Sequence, residues 1–468
     1  MKQASIYQQH ILHAFENQNS HLLIEAVAGA GKTTTLLQIL SNNATSKYKR
    51  ILLCAFNKKI QEELSERAHC IIQNSPSRID IKTIHSVCYS LFSKKPKINT
   101  NKHIDILLAY DSESKLSYSQ ISLLADVYNM SLLTLQDDFD KVIAEYFSDE
   151  EIPSGYHIYL NHLKQVAPHK TNEITYTEML YFPYIKNKKT EYDLILIDEA
   201  QDLSPLQQKI IFQNLSHDNT RYVIVGDSRQ AIYAFAGADK TAFEKYRNIQ
   251  NITELQLPLC YRCPQSHIEL AQQYNPIIQP HKNEKGIIET LDHSFTPEEN
   301  SLIICRNNAP LVKLYFQLIK RGVKCKFIGD IYKSLFALLY QIQELPDFKI
   351  ENFPEFAQKF YEEKSKKMKK EENKQLLYDK IQVLITIYQN KQIKTIKDLF
   401  KTVKQFFTEQ NDENNKILLM TIHKAKGLES DNVYFYQPHL VKKDENEQEK
   451  NLYYIALTRS KNKLFFIP

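Results

Sequence analysis

The sequence predicts an α/β protein with two parallel-sheet cores, each interrupted by a mainly helical insertion. Three observations carry this. Short apolar runs of strand length alternate with helix-period segments in two separate stretches of the chain, the signature of βαβ units on a parallel sheet. One strand–helix junction carries a glycine-bracketed lysine of the kind that cradles phosphate. Glycine is otherwise scarce, nine in 468 residues, where a usual share of roughly 7% would give about 33. Five of the nine, Gly29, Gly31, Gly226, Gly237 and Gly427, lie in the motifs quoted below, which suggests positions that only glycine can occupy.

The elements follow in order. Residues 22–27, 51–55 and 79–82 read as strands, and 32–40, 58–68 and 84–92 as the helices between them. The alternation resumes with strand 192–197, helix 205–215 and strand 222–225. In between, Ile104, Leu107 and Leu108, then Ile121, Leu124, Ala125 and Tyr128, recur at helical spacing. The first core is therefore expected in two parts, 1–92 and 191–256, around a helical insertion at 93–190. The second set has strands at 302–305, 324–329, 417–420, 433–436 and 464–467, with helices at 310–321 and 449–457. It is expected as 257–330 and 414–468 around a reduced helical insertion at 331–413. The charge run at 364–374 reads as a solvated helix face, with a DNA contact as the alternative.

Composition excludes several classes. An apolar fraction of 43% is enough for real cores and excludes a fully disordered chain. A net charge of +5 is mildly basic, compatible with nucleic acid and equally with an ordinary solvated surface. Seven cysteines without framework spacing suggest a reducing compartment, and the lone pair Cys260 and Cys263 has no second pair with which to hold zinc. No apolar run reaches the length of a membrane span, and residues 1–17 lack the core of a secretory signal. The expectation is a soluble cytoplasmic protein with no membrane partner.

Two motifs carry the chemistry. Residues 26–33, Ala-Val-Ala-Gly-Ala-Gly-Lys-Thr, sit between an apolar strand and a helix. Successive N–H groups there would wrap phosphates, helped by the positive end of the helix. Ala28, Gly29, Ala30, Gly31, Lys32, Thr33 and Thr34 are the candidate nucleotide-binding residues. Lys32 would reach the β- and γ-phosphates and Thr33 would ligate Mg²⁺. The strict pattern has glycine where Ala26 stands. The second motif is the apolar strand that ends in Asp198 and Glu199. Carboxylates at a strand's C-terminal end point into the crevice where an α/β sheet binds ligand. Asp198 suits Mg²⁺, largely through water, and Glu199 is placed to orient or deprotonate an attacking water. An acidic turn at a strand end is common by itself; its pairing with a phosphate loop gives it this reading.

Further segments follow in a fixed order: Ala55-Phe-Asn57-Lys58, Thr83-Ile-His85-Ser86, Asp198-Glu-Ala-Gln-Asp202, Gly226-Asp-Ser-Arg-Gln230, Tyr233-Ala-Phe235-Ala-Gly237, Cys260-Tyr261-Arg262, Thr421-Ile-His423 through Gly427-Leu-Glu429, and Tyr454 through Thr458-Arg459-Ser460. On these motifs the chain resembles superfamily-one, class-A DNA helicases, the UvrD/Rep/PcrA group, close in flavour to the F-box DNA helicase branch and compact bacterial or viral relatives. The resemblance runs over almost the whole chain.

It implies two RecA-like P-loop NTPase cores with ATP between them. It makes Gln230 a γ-phosphate sensor and Arg262 and Arg459 arginine fingers, whose guanidinium forks suit phosphate oxygens. It sets Tyr261 against adenine, gives adenine reading to Gln8 (Gln9 is the alternative), and places Glu429 at the ribose or in the network coupled to DNA. Asn57, Thr83, His85, Tyr233, Phe235, Thr421 and His423 match positions along a single-strand groove. For His85, His423 and Phe235, capping or core packing is the plainer alternative. The chain departs from the family at Phe235 and Ala236, where Trp and Arg are usual, at Thr34, where Arg is usual, and at Cys260, where Asn is usual. The set Lys32, Asp198, Glu199, Gln230, Arg262 and Arg459 is intact.

The expected function is an ATP- and Mg²⁺-dependent DNA helicase or translocase moving 3′→5′ on single-stranded DNA, with single-strand and junction DNA as partners, in repair, recombination, replication or phage defence. Polarity rests on the resemblance. The rival expectation is a nucleotide-gated DNA-binding or sensing subunit of a larger nuclease or defence complex, with little unwinding of its own.

Overall fold

The computed structural model describes residues 4–113, 115–329, 332–368, 371–408 and 417–468. The expected boundary at 413/414 and part of the 364–374 charge run lie outside these residues. The chain divides into two compact units, Met1–Phe147 with Glu151–Cys260, and Tyr261–Pro468 with Ser148–Glu150. Each is an α/β unit built on its own six-stranded parallel sheet.

In the first unit the strands are β1 (His21–Ala26), β2 (Arg50–Ala55), β3 (Arg78–Thr83), β4 (Tyr192–Ile197), β5 (Ser216–Gly226) and β6 (Ile252–Leu257). Their order is β3-β2-β4-β5-β1-β6, with every pairing parallel. The central strands are nearly unbroken apolar runs, because helices cover a parallel sheet on both faces. Leu194–Ile197 and Val223–Val225 are fully buried. The edge strands β3 and β6 alternate apolar and polar residues, as strands with a wet side do. β4 and β5 lie between β1 and β2, so the chain leaves β1 in one direction and returns on the far side. That arrangement opens a crevice at the C-terminal ends of β1, β4 and β5.

Two elements of this unit lack a strong signal in sequence. Helix Ile6–Asn17 is fixed by a capping box of Ser5 and Gln8 and by four buried residues, Gln8, Ile11, Ala14 and Phe15. Strand β6 is half exposed. The segment expected as one helix at 205–215 divides into an α-helix, Pro205–Lys209, and a wider π-turn, Ile210–Asn214.

The insertion contains helices Lys102–Tyr110, Tyr118–Thr134, Phe139–Tyr146, Tyr156–Val166 and Tyr176–Ile185, with a small parallel pair, Lys97–Ile98 against Glu173–Ile174. Ile106, Leu107, Ile121, Leu124, Val127, Leu160 and Leu163 form its core. Beside that core, Lys102 Nζ donates to both oxygens of Glu178 at 2.8 Å and to the Ala167 carbonyl at 2.9 Å. His103 Nε2 lies 3.1 Å from the same carboxylate. Lys102 is 3% exposed and Glu178 0%.

In the second unit the strands are β7 (Ile287–Thr290), β8 (Ser301–Cys305), β9 (Cys325–Ile328), β10 (Ile417–Thr421), β11 (Ser430–Tyr436) and β12 (Ser460–Ile467), ordered β7-β12-β11-β8-β10-β9. Helix Asn308–Lys320 tolerates Pro310 in its first turn, where no intrahelical N–H bond is lost. Its N-terminus is capped from the insertion: Asp379 accepts from Asn308 N at 2.9 Å and Ala309 N at 2.6 Å. The insertion helices Tyr332–Gln343, Phe353–Ser365, Glu371–Asn390 and Ile396–Thr408 share one hydrophobic cluster with the sheet. Phe406 lies 5.5 Å from Phe316 and 5.6 Å from Phe327, ring centre to ring centre. Among the described residues, no helix is long and apolar enough to cross a membrane.

Candidate functional site

The crevice of the first unit is built by three strand ends. After β1 the chain turns through Gly29 (φ +67°) and Gly31 (φ +78°) into helix Lys32–Leu40. Both glycines occupy left-handed backbone, where a side chain would be strained, and Ala28 and Ala30 pack their methyls inward at 1% and 2% exposure. The turn therefore presents its N–H groups at a helix N-terminus, a ready anion site.

After β4 come Asp198 and Glu199. Asp198 Oδ2 accepts from Thr33 Oγ1 at 3.5 Å. Glu199 is in left-handed backbone too, φ +50° and ψ +45°, a conformation that costs a non-glycine residue about 1–3 kcal/mol and clusters at active sites. Its N–H donates to Asp198 Oδ1 at 2.9 Å. Its carboxylate lies 2.8 Å from Lys32 Nζ. After β5, Asp227 accepts from Gln230 Nε2 at 2.5 Å and, through its other oxygen, from Arg229 N at 3.0 Å.

The electrostatics follow from burial. Burial pushes the Asp198 carboxyl up to about 7, with the Glu199 charge adding to it and Lys32 opposing. Asp227 is likewise pushed up to about 7 by burial, against the pull of Lys32. For Lys32, burial works downward, but Glu199, Asp227 and Asp198 outweigh it and raise the ammonium group's pKa. One lysine thus faces three carboxyl groups in a desolvated pocket, a site arranged for ligand charge.

Lys32, Thr33, Asp198 and Glu199 therefore meet, and Gln230 is joined to them through Asp227, whose charge acts on Lys32. Gln8 is adjacent: it is buried, and its Nε2 donates to Thr35 Oγ1 at 3.1 Å in the helix after the loop. Thr34 faces a cation that the sequence reading passes over, Arg67, whose Nη2 donates to Thr34 Oγ1 at 3.2 Å. Asp227 and Gln201 are also missed by that reading. Asp227 had a signal, an acid directly after a strand-end glycine; Gln201 had only its place in the acidic motif.

The groove candidates of this unit lie at neighbouring strand ends. Asn57 and Thr83 cap helices, accepting from Ile60 N at 2.9 Å and Ser86 N at 3.1 Å. Burial lowers His85 to about 4, and its ring meets that of Tyr176 edge-on at 6.4 Å. Tyr176, 54% exposed, belongs to the insertion, where no motif marks it. Tyr233 stacks on Phe56 at 5.9 Å and 16°, and Phe235 is 60% exposed.

In the second unit, Arg262 Nε donates to Glu429 Oε2 at 2.6 Å and Nη1 to the Thr458 carbonyl at 3.0 Å. Lys461 pairs with the other Glu429 oxygen at 3.1 Å. Burial opposes ionisation of Glu429, but Arg262 and Lys461 hold its carboxyl below the usual range. Arg459 is 1% exposed, and its guanidinium donates to the Ile455 and Leu428 carbonyls at 3.0 and 3.1 Å. The Tyr261 ring lies 4.4 Å from that of His281. Thr421 precedes the helix Ile422–Ala425 that contains His423, without a side-chain capping bond. Burial, with Arg306 and Lys426 nearby, lowers His423 to about 3.

Comparison with known proteins places matches over both units. The AAA domain family matches residues 8–236, and the UvrD-like helicase C-terminal domain matches residues 416–467. The chain is 25% identical to F-box DNA helicase protein 1 of Schizosaccharomyces pombe, over 98% of this chain and 56% of that protein. It is 26% identical to the ATP-dependent DNA helicase PcrA of Bacillus subtilis, over 58% of this chain and 39% of PcrA. It is also 26% identical to a probable DNA helicase II homolog of Mycoplasma capricolum, over 70% and 48%. The chain thus spans about half the length of these curated relatives.

Proposed function

Because the chain belongs to the UvrD-like helicases of superfamily one, we propose that it is an ATP-driven motor that moves 3′→5′ along single-stranded DNA and opens duplexes at junctions. The observation that carries this is the convergence of Lys32, Asp198, Glu199 and Gln230 at the phosphate loop.

ATP phosphates would lie along the loop N–H groups. Lys32 would turn from Glu199 to the β- and γ-phosphates, and the Glu199 carboxylate would then orient or deprotonate water. Thr33 and Asp198 offer the hard oxygen donors that Mg²⁺ takes, with water and phosphate completing the shell, and the ion would neutralise charge building on the phosphates. Arg262 and Arg459 are the cations proposed for the γ-phosphate in the transition state. Arg459 would first have to release main-chain carbonyls. Gln230 would sense the γ-phosphate and pass its state to Tyr233 and Phe235, which grip bases of any identity by stacking. Asn57, Thr83, His85, Thr421 and His423 would line the same strand, and Gln8, Tyr261 and Glu429 the nucleoside.

The test is ATP hydrolysis with and without single-stranded DNA, then unwinding of matched 3′-tailed and 5′-tailed duplexes. DNA-stimulated hydrolysis with unwinding from the 3′ tail supports the proposal. Hydrolysis indifferent to DNA overturns the motor. DNA binding gated by ATP, without unwinding, points to a sensing subunit instead.

A further inference from the structure

Between the strained acid and the sensor segment lies a side chain with no role so far. Gln201 is 1% exposed. Its Nε2 donates to Glu199 Oε2 at 2.5 Å and, more weakly, to Asp202 Oδ2 at 3.4 Å. Its Oε1 accepts from the main-chain N–H of Asp227 at 3.0 Å. A buried primary amide is one of the few groups that can donate to a carboxylate and accept from a peptide at once. Gly226 permits the approach: a Cβ there would overlap Gln201 Oε1 and lie 2.8 Å from Phe243 Cζ.

The two ends of this link matter for different reasons. Glu199 holds a left-handed backbone, and such strain persists only where surrounding bonds over-determine it. With Lys32 drawn away to phosphate, the Gln201 amide still holds the carboxylate. Asp227 begins the turn that carries Gln230 and is itself bonded to the Gln230 amide. We propose that Gln201 is a positioning residue that fixes the direction of the Glu199 carboxylate and ties it to the Asp227–Gln230 turn, so that the acid and the phosphate sensor shift together. This rests on the proposed role of Glu199 in ATP hydrolysis.

Two variants separate the two ends. Gln201→Met keeps the volume and removes both bonds. Gln201→Glu keeps an acceptor for the Asp227 N–H and sets a second buried carboxyl against Glu199 in place of the neutral amide donor. ATP hydrolysis is measured with and without single-stranded DNA, and nucleotide binding is measured with a fluorescent ADP. Gln201→Met is expected to lower kcat by about 10²-fold, the cost of a misdirected group, with KM for ATP and ADP affinity near wild type and no DNA stimulation. Gln201→Glu is expected to lower kcat while keeping the wild-type ratio of stimulation. Wild-type kcat in Gln201→Met, or a rise in KM with kcat unchanged, overturns the proposal. If Gln201→Met fails to bind ADP, Gln201→Glu decides by its kcat alone. A wild type that hydrolyses ATP without responding to DNA refutes the motor reading, while the basal kcat of the variants still tests the link.

Discussion

Lys32 Nζ lies 2.8 Å from Glu199 Oε1 and 2.9 Å from Oε2. The cation proposed for phosphate and the acid proposed for water form an ion pair. On the proposed mechanism phosphate draws Lys32 from the carboxylate, so binding and arming of the acid are one event. Glu199→Gln should therefore lower kcat by about 10²–10⁴-fold, the usual worth of a general base, while nucleotide binds as well as wild type or better. Lys32→Ala should lose hydrolysis altogether. Steady-state kinetics beside fluorescent-nucleotide titration check both.

Gly226 is a packing requirement. A methyl there would meet the Gln201 amide, which is held by its bonds to Glu199 and Asp227, and the buried Phe243 ring. Gly226→Ala should destabilise the first unit by about 1–3 kcal/mol, the cost of overpacking, visible as a lower Tm.

Phe235 is the opposite case. At 60% exposure it contributes little to stability. Phe235→Ala should leave the Tm unchanged and weaken single-strand binding by about 1–3 kcal/mol, the worth of one base–aromatic stack. Fluorescence anisotropy with a short oligonucleotide measures it.

The buried pair Lys102–Glu178 should be costly to break from one side. Glu178→Ala strands a buried ammonium group, and losses of about 3–5 kcal/mol are usual for that change. Chemical denaturation should show the loss, and replacing both residues by apolar ones should recover much of it.

The histidines set a pH dependence. His85 is held near 4 and His423 near 3 by burial, against an ordinary value of 6.5. Between those values the unfolded chain takes up protons at these two positions that the folded chain refuses, so the histidines' contribution to stability falls as pH drops from 6.5 toward 4. Asp198 and Asp227, whose raised values let the folded chain take up protons first, contribute in the opposite sense. His85→Gln should flatten part of that slope in pH-dependent melting curves.

Much of this was legible in the sequence because the chemistry is local. Lys32, Asp198 and Gln230 each sit within a few residues of a strand end, and apolar runs mark the strands. Residues that act across the fold were not legible. Arg67 reaches Thr34 from another helix, Tyr176 reaches His85 from the insertion, and Gln201 reaches Asp227 across two neighbouring strands. Helix Ile6–Asn17 and strands β6 and β7 were missed because a wet edge blurs the periodicity by which an element is read.

The shared core of the second unit has a practical corollary. Phe406 packs among core aromatics, and Asp379 caps the core helix from the insertion side. The insertion is thus a girder and not an appendage. Excising residues 331–413 would open the sheet's flank to water and leave the first turn at Asn308 and Ala309 without its cap. A shortened chain of that kind should aggregate, and in the intact chain this half should melt in a single cooperative step.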